Sequence, residues 1–233
     1  MATFRATKRP LLGDSERDSR RISLDQGWKF GLSAEKTLQF TPGTRIGYNN
    51  SNTFLLSLIV ERVSGKPFQT VAQERLLGPL GMSSSFFRTD ATKAVANGVS
   101  HYAWDSGSGT FEPSSFRWQT LGNGNLETSV LDVARWAQTY LDGSFGDAQL
   151  RAARLAPVQV AISNGYAGVP GMLLDTTGPN QMLFMGGGTA GSFDESTIDL
   201  TRHAAATIAC NLRPELGRSP WTQVILDTWF QGP

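Results

Sequence analysis

Tyr48-Asn49-Asn50 stands directly before a run of apolar residues, inside the segment TPGTRIGYNNSNTFLLSLIVERVSG (residues 41–65). A phenol and a carboxamide two residues apart on the lip of a helix allow two readings. Tyr48 can pack while Asn50 caps the helix by accepting from its first N–H groups. Alternatively, the phenol can move a proton while the carboxamide orients a substrate amide. A phenol is a poor base at neutral pH unless cations favour its ionised form. The catalytic reading therefore needs partners elsewhere in the chain.

Other candidate chemistries fail on context. GGGTAG at 186–191 has the spacing G-x-G-x-x-G, but SFDESTIDL follows it. A dinucleotide loop has to follow a strand and open a helix, and this continuation is polar and then strand-like. Ser64-Gly65-Lys66-Pro67 lacks the rest of a phosphate-binding loop, and neither G-x-S-x-G nor H-E-x-x-H occurs. His101 and His203 are far apart and read as structural. Cys210 is the only cysteine, so there is no internal disulfide and no cysteine-built zinc site. No metal and no cofactor are expected.

The chain of 233 residues is 39% hydrophobic and only 18% charged, with a net charge of +1. That balance buries a core and argues against a nucleic-acid or acidic-lipid partner. The longest apolar run, LLSLIV at 55–60, is too short to span a bilayer. The N-terminal sequence MATFRATKRPLLGDSERDSRR has no apolar core of a secretory signal. As written, the chain reads as cytoplasmic with no membrane partner, although full-length relatives could be exported.

The elements that must position the candidate residues follow from periodicity. Residues 1–26 read as a loose lead-in and 27–233 as the domain. A helix over about 51–64 is marked by Phe54, Leu55, Leu58, Ile59 and Val63, with Asn50 or Ser51 as cap and Gly65 as stop. A second helix runs from Pro67 to Leu77 and ends at Gly78. Residues 83–127 read as irregular with a short strand or two. A third helix covers 130–141, entered by a Ser129-x-x-Asp132 capping box. Residues 146–154 suggest a short helix. From there NGYAGVPGMLLD, QMLFMG, STIDLT and HAAATIACN read as strands between turns. In the closing SPWTQVILDTWF, Ser219 and Pro220 open a helix on which Trp221, Ile225 and Trp229 share a face. Helices, then consecutive strands, then a helix predict an α+β fold with an antiparallel sheet.

Four blocks, in order, resemble the class C β-lactamase and penicillin-binding-protein-like serine hydrolases, a family that includes esterases and D-aminopeptidases. They are PGTRIGYNN with the helix ending in ERVSG, then LLGPLGMSSSFF, then GNGNLETSVLDVARWAQ (122–138), then FMGGGTAGSFDESTIDLTRHAAATIACN (184–211). The resemblance covers roughly residues 38–231. It implies acyl transfer through a serine of an S-x-x-K motif, with the Y-x-N tyrosine sharing the proton traffic and donors aimed at the oxyanion. On this sequence it makes Tyr48 the catalytic general base and Asn50 the substrate-orienting amide. It places the third motif on Met185-Gly186-Gly187 and an oxyanion N–H on Gly188. Tyr48, Asn50 and Gly186–Gly188 are expected to converge on one cleft. Met185 departs from the lysine or histidine of the family pattern and removes a cation or donor that would face a substrate carboxylate.

The nucleophile is the larger departure. The sole S-x-x-K is Ser33-Ala34-Glu35-Lys36, and Ser33 precedes Tyr48 by 48 − 33 = 15 positions. A helix begun there has to end before Pro42 and can hardly return its serine to Tyr48. The chain is therefore expected to be a shortened or degenerate family member, N-terminally incomplete and inactive alone. Two rivals stand beside that reading: a non-catalytic binding module, and an active esterase using Ser33 or a serine from another chain. The implied ligand is a small ester, lactam or peptide-like molecule. An uncovered sheet edge or apolar face would favour self-association.

Overall fold

A computed structural model describes residues 37–90, 94–114, 120–157, 166–189, 191–212 and 221–232. The expected lead-in 1–26, the motif Ser33–Lys36 and the helix-opening Ser219 and Pro220 lie outside the described residues. The chain divides into two compact units. The first holds residues up to Pro79 with Ser84–Gly98 and Ser115–Glu127, and the second holds Leu80–Ser83, Val99–Ser114 and Thr128 onward.

The first unit is built on helix α1 (Asn50–Ser64). Its cap is Asn49, one residue before the cap expected from the sequence. The buried Asn49 side chain accepts from the Ser51 N–H at 2.8 Å, which frees Asn50 from that duty. The buried residues of α1 are Phe54 and Ser57, whereas Ile59 and Val63 are exposed. Apolar spacing located the helix but misjudged how much of its stripe is covered. Gly65 ends it in the left-handed region, returning its N–H to the Glu61 carbonyl. Helix α2 (Phe68–Ala72) follows Pro67 and continues as one π turn over Gln73–Leu77, stopped at Gly78 as the sequence predicts. Strand β1 (Phe86–Phe87) pairs antiparallel with β4 (Leu126–Glu127). Phe87 meets Phe68 of α2 edge to face at 5.0 Å. Buried Arg88 ties the same two segments, with its Nε donating to Glu127 at 2.7 Å and its carbonyl accepting from Asn125.

The second unit contains a five-stranded antiparallel sheet in the order β5 (Tyr166–Val169), β6 (Met172–Asp175), β7 (Met182–Thr189), β8 (Ser192–Asp199), β9 (Ala204–Cys210). It is a meander of hairpins, so each strand pairs with its neighbour in sequence. The side-chain period of two divides its faces. Leu183 and Ile198 are paired across β7 and β8 and pack with Val169, Met172 and Ala137 into the core. Ala137 comes from α3 (Val130–Leu141), whose Ser129 cap accepts from the Asp132 N–H as the capping box predicts. Helix α4 (Ala148–Leu155) is held to α3 by buried Arg154. Its guanidinium lies over Tyr140 at 3.7 Å and Trp136 at 4.7 Å and donates to Thr139.

The alternate β8 residues face α5 (Trp221–Gln231). Thr197 meets Thr222 at 2.6 Å, and the Glu195 carboxylate accepts from the Thr222 N–H and hydroxyl. Arg202 bridges buried Asp199 and Asp227, and these hydrogen bonds hold its guanidinium above its ordinary pKa. Helix α5 buries Thr222 and Leu226, so the shared Trp221, Ile225 and Trp229 face is its exposed one, with Trp229 80% exposed.

Residues 83–127 carry more strand than the sequence suggests. Besides β1 and β4, a hairpin of β2 (His101–Asp105) and β3 (Thr110–Ser114) belongs to the second unit. Polar, glycine-rich composition hides these strands. Their partners supply the order, and little of their surface is buried. The hairpin is tied to the end of β9 through the Tyr102 N–H donating to the Asn211 carbonyl at 2.8 Å.

Candidate active site

Tyr48 is 92% exposed, an unusual state for a large ring and no part of a core. The packing alternative for this residue is therefore wrong. Its hydroxyl donates to Asn50 Oδ1 at 2.6 Å, so phenol and carboxamide act as one unit on the lip of α1. The capping alternative for Asn50 is wrong as well, because Asn49 does that work. The two side chains of the Y-x-N motif thus bond to each other, and neither packs in a core nor caps the helix.

The glycine-rich block positions this pair. Asn123 Nδ2 donates to the Asn50 carbonyl at 3.1 Å. Gly122 sits so close to α1 that a Cβ on it would stand 2.7 Å from the Thr53 carbonyl oxygen and 2.9 Å from Ser57 Cβ. Its φ of +77° is itself a glycine conformation. Asn123 was not among the residues singled out from the sequence. The signal was present in GNGN, but nothing local tells which of two asparagines reaches across and which, as Asn125, is buried beneath. A shallow depression lined by Leu58, Glu61, Arg62, Lys66 and Pro67 lies at the other end of α1, roughly 20 Å along the axis at ~1.5 Å per residue. It does not belong to the Y-x-N motif.

In the second unit, Met185, Gly186, Gly187 and Gly188 form the outer half of β7. Strand β6 accompanies β7 only as far as the Leu173–Phe184 pair, whereas β8 continues to the Thr189–Ser192 pair. From Met185 onward, β7 has no partner on its β6 side among the described residues, and the three glycines are exposed. An open strand edge offers unpaired N–H and C=O groups, and glycine lets another backbone approach them. Gly186 is obligatory for a second reason: a Cβ there would stand 2.7 Å from the Asp194 carbonyl oxygen across the ladder.

Asp194 also escaped the sequence reading. It lies opposite Gly187 on β8. A Cβ on Gly187 would come within 3.1 Å of Asp194 Oδ1, so the carboxyl occupies the space that a side chain at 187 would fill. Burial pushes this carboxyl up from 3.8 to about 6, and the Gly187 backbone draws it partly back down. The folded chain thus holds the Asp194 proton more tightly than the unfolded chain does. Between pH 3.8 and about 6 the folded state binds more protons, so this group's contribution to stability falls as pH rises through that window. Replacement by asparagine should stabilise the chain at pH 8, by on the order of 1–2 kcal/mol for a half-buried group. The gain should vanish below pH ~4, where both proteins are neutral at this position. Urea unfolding of both proteins at the two pH values checks this, and a gain that persists at low pH contradicts the assignment.

Among the described residues, no group of three His, Cys, Asp or Glu could hold a metal ion. No helix among them is long and apolar enough to cross a membrane.

Comparison with known proteins bears on both units. The family model described as Beta-lactamase matches residues 29–226. The D-aminopeptidase of Gluconobacter oxydans is 28% identical over 162 residues, which are 70% of this chain and 28% of that protein. The D-alanyl-D-alanine-carboxypeptidase/endopeptidase AmpH of Escherichia coli is 28% identical over 121 residues, covering 52% of this chain and 29% of the relative. The chain thus spans less than a third of the length of these relatives. Among solved structures, the octameric penicillin-binding protein homologue from Pyrococcus abyssi superposes with a TM-score of 0.72 at 22% identity. It covers 82% of this chain and 44% of its own. A D-stereospecific amidohydrolase from Streptomyces sp. gives 0.71 at 18% identity, covering 84% and 57%.

Proposed function

The chain belongs to the Beta-lactamase family, and we propose that it binds the carbonyl of a small amide, ester or peptide-like ligand along the outer half of β7. The family is one of serine hydrolases. The observation that carries the reading is the glycine-lined edge from Met185 to Gly188, which has no partner on its β6 side among the described residues. An extended acyl ligand adds to such an edge as a further strand through main-chain hydrogen bonds. In this reading the Gly188 N–H is the oxyanion donor. Tyr48 is the proton-transferring group, and Asn50 orients the ligand's amide. The names of the similar proteins point the same way, since they are aminopeptidases, carboxypeptidases and amidohydrolases.

Binding, not turnover, is what this chain alone should show. A neutral N-acetylated amino-acid amide should stabilise it without covalent change, by about 1.4 kcal/mol at ten times Kd. The Gly188→Val substitution should abolish the effect while the fold persists. Thermal melts with and without ligand, followed by intact-mass measurement, test this. No stabilisation at any soluble concentration would remove the strand-edge reading.

Self-association belongs to the same proposal. Strand β9 has no further strand partner among the described residues, and α5 presents Trp221, Ile225 and Trp229 beside it. Unprotected edges and apolar faces of this kind pair with other chains. Dimers or larger species are expected by light scattering at micromolar concentration. A clean monomer with high thermal stability would argue against it.

A further inference from the structure

We propose that the Asp194 carboxylate makes this strand-edge site selective for ligands that carry an ammonium group beside the carbonyl, such as α-amino amides, and against ligands that end in a carboxylate. The inference deepens the function proposed above and rests on it.

Three observations on the second unit carry it. Asp194 reaches over Gly187, the middle of the exposed glycine run, because position 187 has no side chain to keep it away. Its carboxyl therefore lies beside the very backbone that a ligand strand would line. Next, no cation pairs with it among the described residues. The neighbours in register are Gly187 and Ala209, and those on the same face are Met185, Ser192, Ser196 and Thr207, none of them charged. Finally, Met185 leaves the third motif without a positive group. Among the described strand neighbours, the charge beside Gly187 is thus negative.

Main-chain pairing along an open edge is indifferent to the ends of the ligand. A charge beside it is not. An ammonium group placed there gains a charge-assisted hydrogen bond and neutralises a half-buried carboxylate. A ligand carboxylate in the same place meets repulsion across a partly desolvated gap and finds no cation at Met185. Selection by charge then acts as both attraction and exclusion.

The test uses the 233-residue chain and three probes on one phenylalanine skeleton that differ in charge: phenylalaninamide (cation), N-acetylphenylalaninamide (neutral) and N-acetylphenylalanine (anion). Affinities are measured by calorimetric or NMR titration at pH 7, where Asp194 is mostly ionised and the α-ammonium of phenylalaninamide is largely retained. The expected order is cation, neutral, anion, with roughly tenfold between successive probes, the effect of one half-exposed charge contact. The Asp194→Asn variant, which should fold at least as well, is expected to bind all three within about twofold of one another. Equal affinities in both proteins, or a preference for the anion, would overturn the role of Asp194 and leave the strand-edge reading standing. If no probe binds either protein, the strand-edge reading itself fails and the selectivity goes with it.

Discussion

A fluorophosphonate or a β-lactam incubated with the purified 233-residue chain is expected to leave its mass unchanged. The effect is all or none: a family member with its serine in place would take up one equivalent. The argument begins with what Tyr48 and Asn50 hold. The Tyr48 hydroxyl donates to Asn50 Oδ1 at 2.6 Å. Neither group, nor any backbone donor of β7, can stand in for the serine oxygen that forms the covalent intermediate. The sole S-x-x-K, Ser33–Lys36, lies outside the described residues and 15 positions before Tyr48 (48 − 33). An activated ester should therefore be hydrolysed no faster by the chain than by its Tyr48→Phe variant, and with no burst. Oxyanion donors alone can retain weak catalysis when a nucleophile is lost, so the rate need not be zero. Mass spectrometry decides: a stoichiometric adduct on Ser33 would make this a compact hydrolase with a rewired nucleophile.

Truncating Leu183 is expected to have the largest effect on stability. Leu183 is fully buried at the inner end of β7, packed with Ile198, Val169, Met172 and Ala137. It anchors the strand whose outer half is the proposed binding edge. Leu183→Ala should cost about 3–4 kcal/mol through lost transfer energy and the cavity left behind. Trp229→Ala removes a far larger apolar side chain, but one that is 80% exposed. In a monomeric state it should change stability by less than about 0.5 kcal/mol. Urea midpoints of the two variants give the comparison. Equal losses would mean that the exposed face of α5 is covered in solution, which is the self-association proposed above, and a dilution series separates that case.

Much of the fold was legible because its signals are local. The stop at Gly65, the Ser129 cap with its Asp132 partner and the turns between β5 and β9 depend on residues within a few positions of one another. Where the reading erred, the missing information was long-range. The stripe of α1 is at helical spacing whether or not anything covers Ile59 and Val63. The cap fell on Asn49 because its side chain, not that of Asn50, turns back to Ser51. Strands β1 to β4 are too short to announce themselves, and pairing partners up to 41 positions apart hold them.

The sequence by itself determined the family and the order of elements, and it named the candidate site residues. Tyr48, Asn50 and the glycine run could be named from four blocks in the right order. Tertiary structure alone decided what those residues are free to do. It turned Tyr48 outward and bound it to Asn50, and it set Asn123 under the helix lip. It ended the β6–β7 ladder at Phe184, so that the glycines have no partner on that side among the described residues. It also laid the Asp194 carboxyl over Gly187. The physical reason is that types and spacing are properties of the chain, whereas exposure, free edges and unpaired charge depend on which distant segment lies alongside.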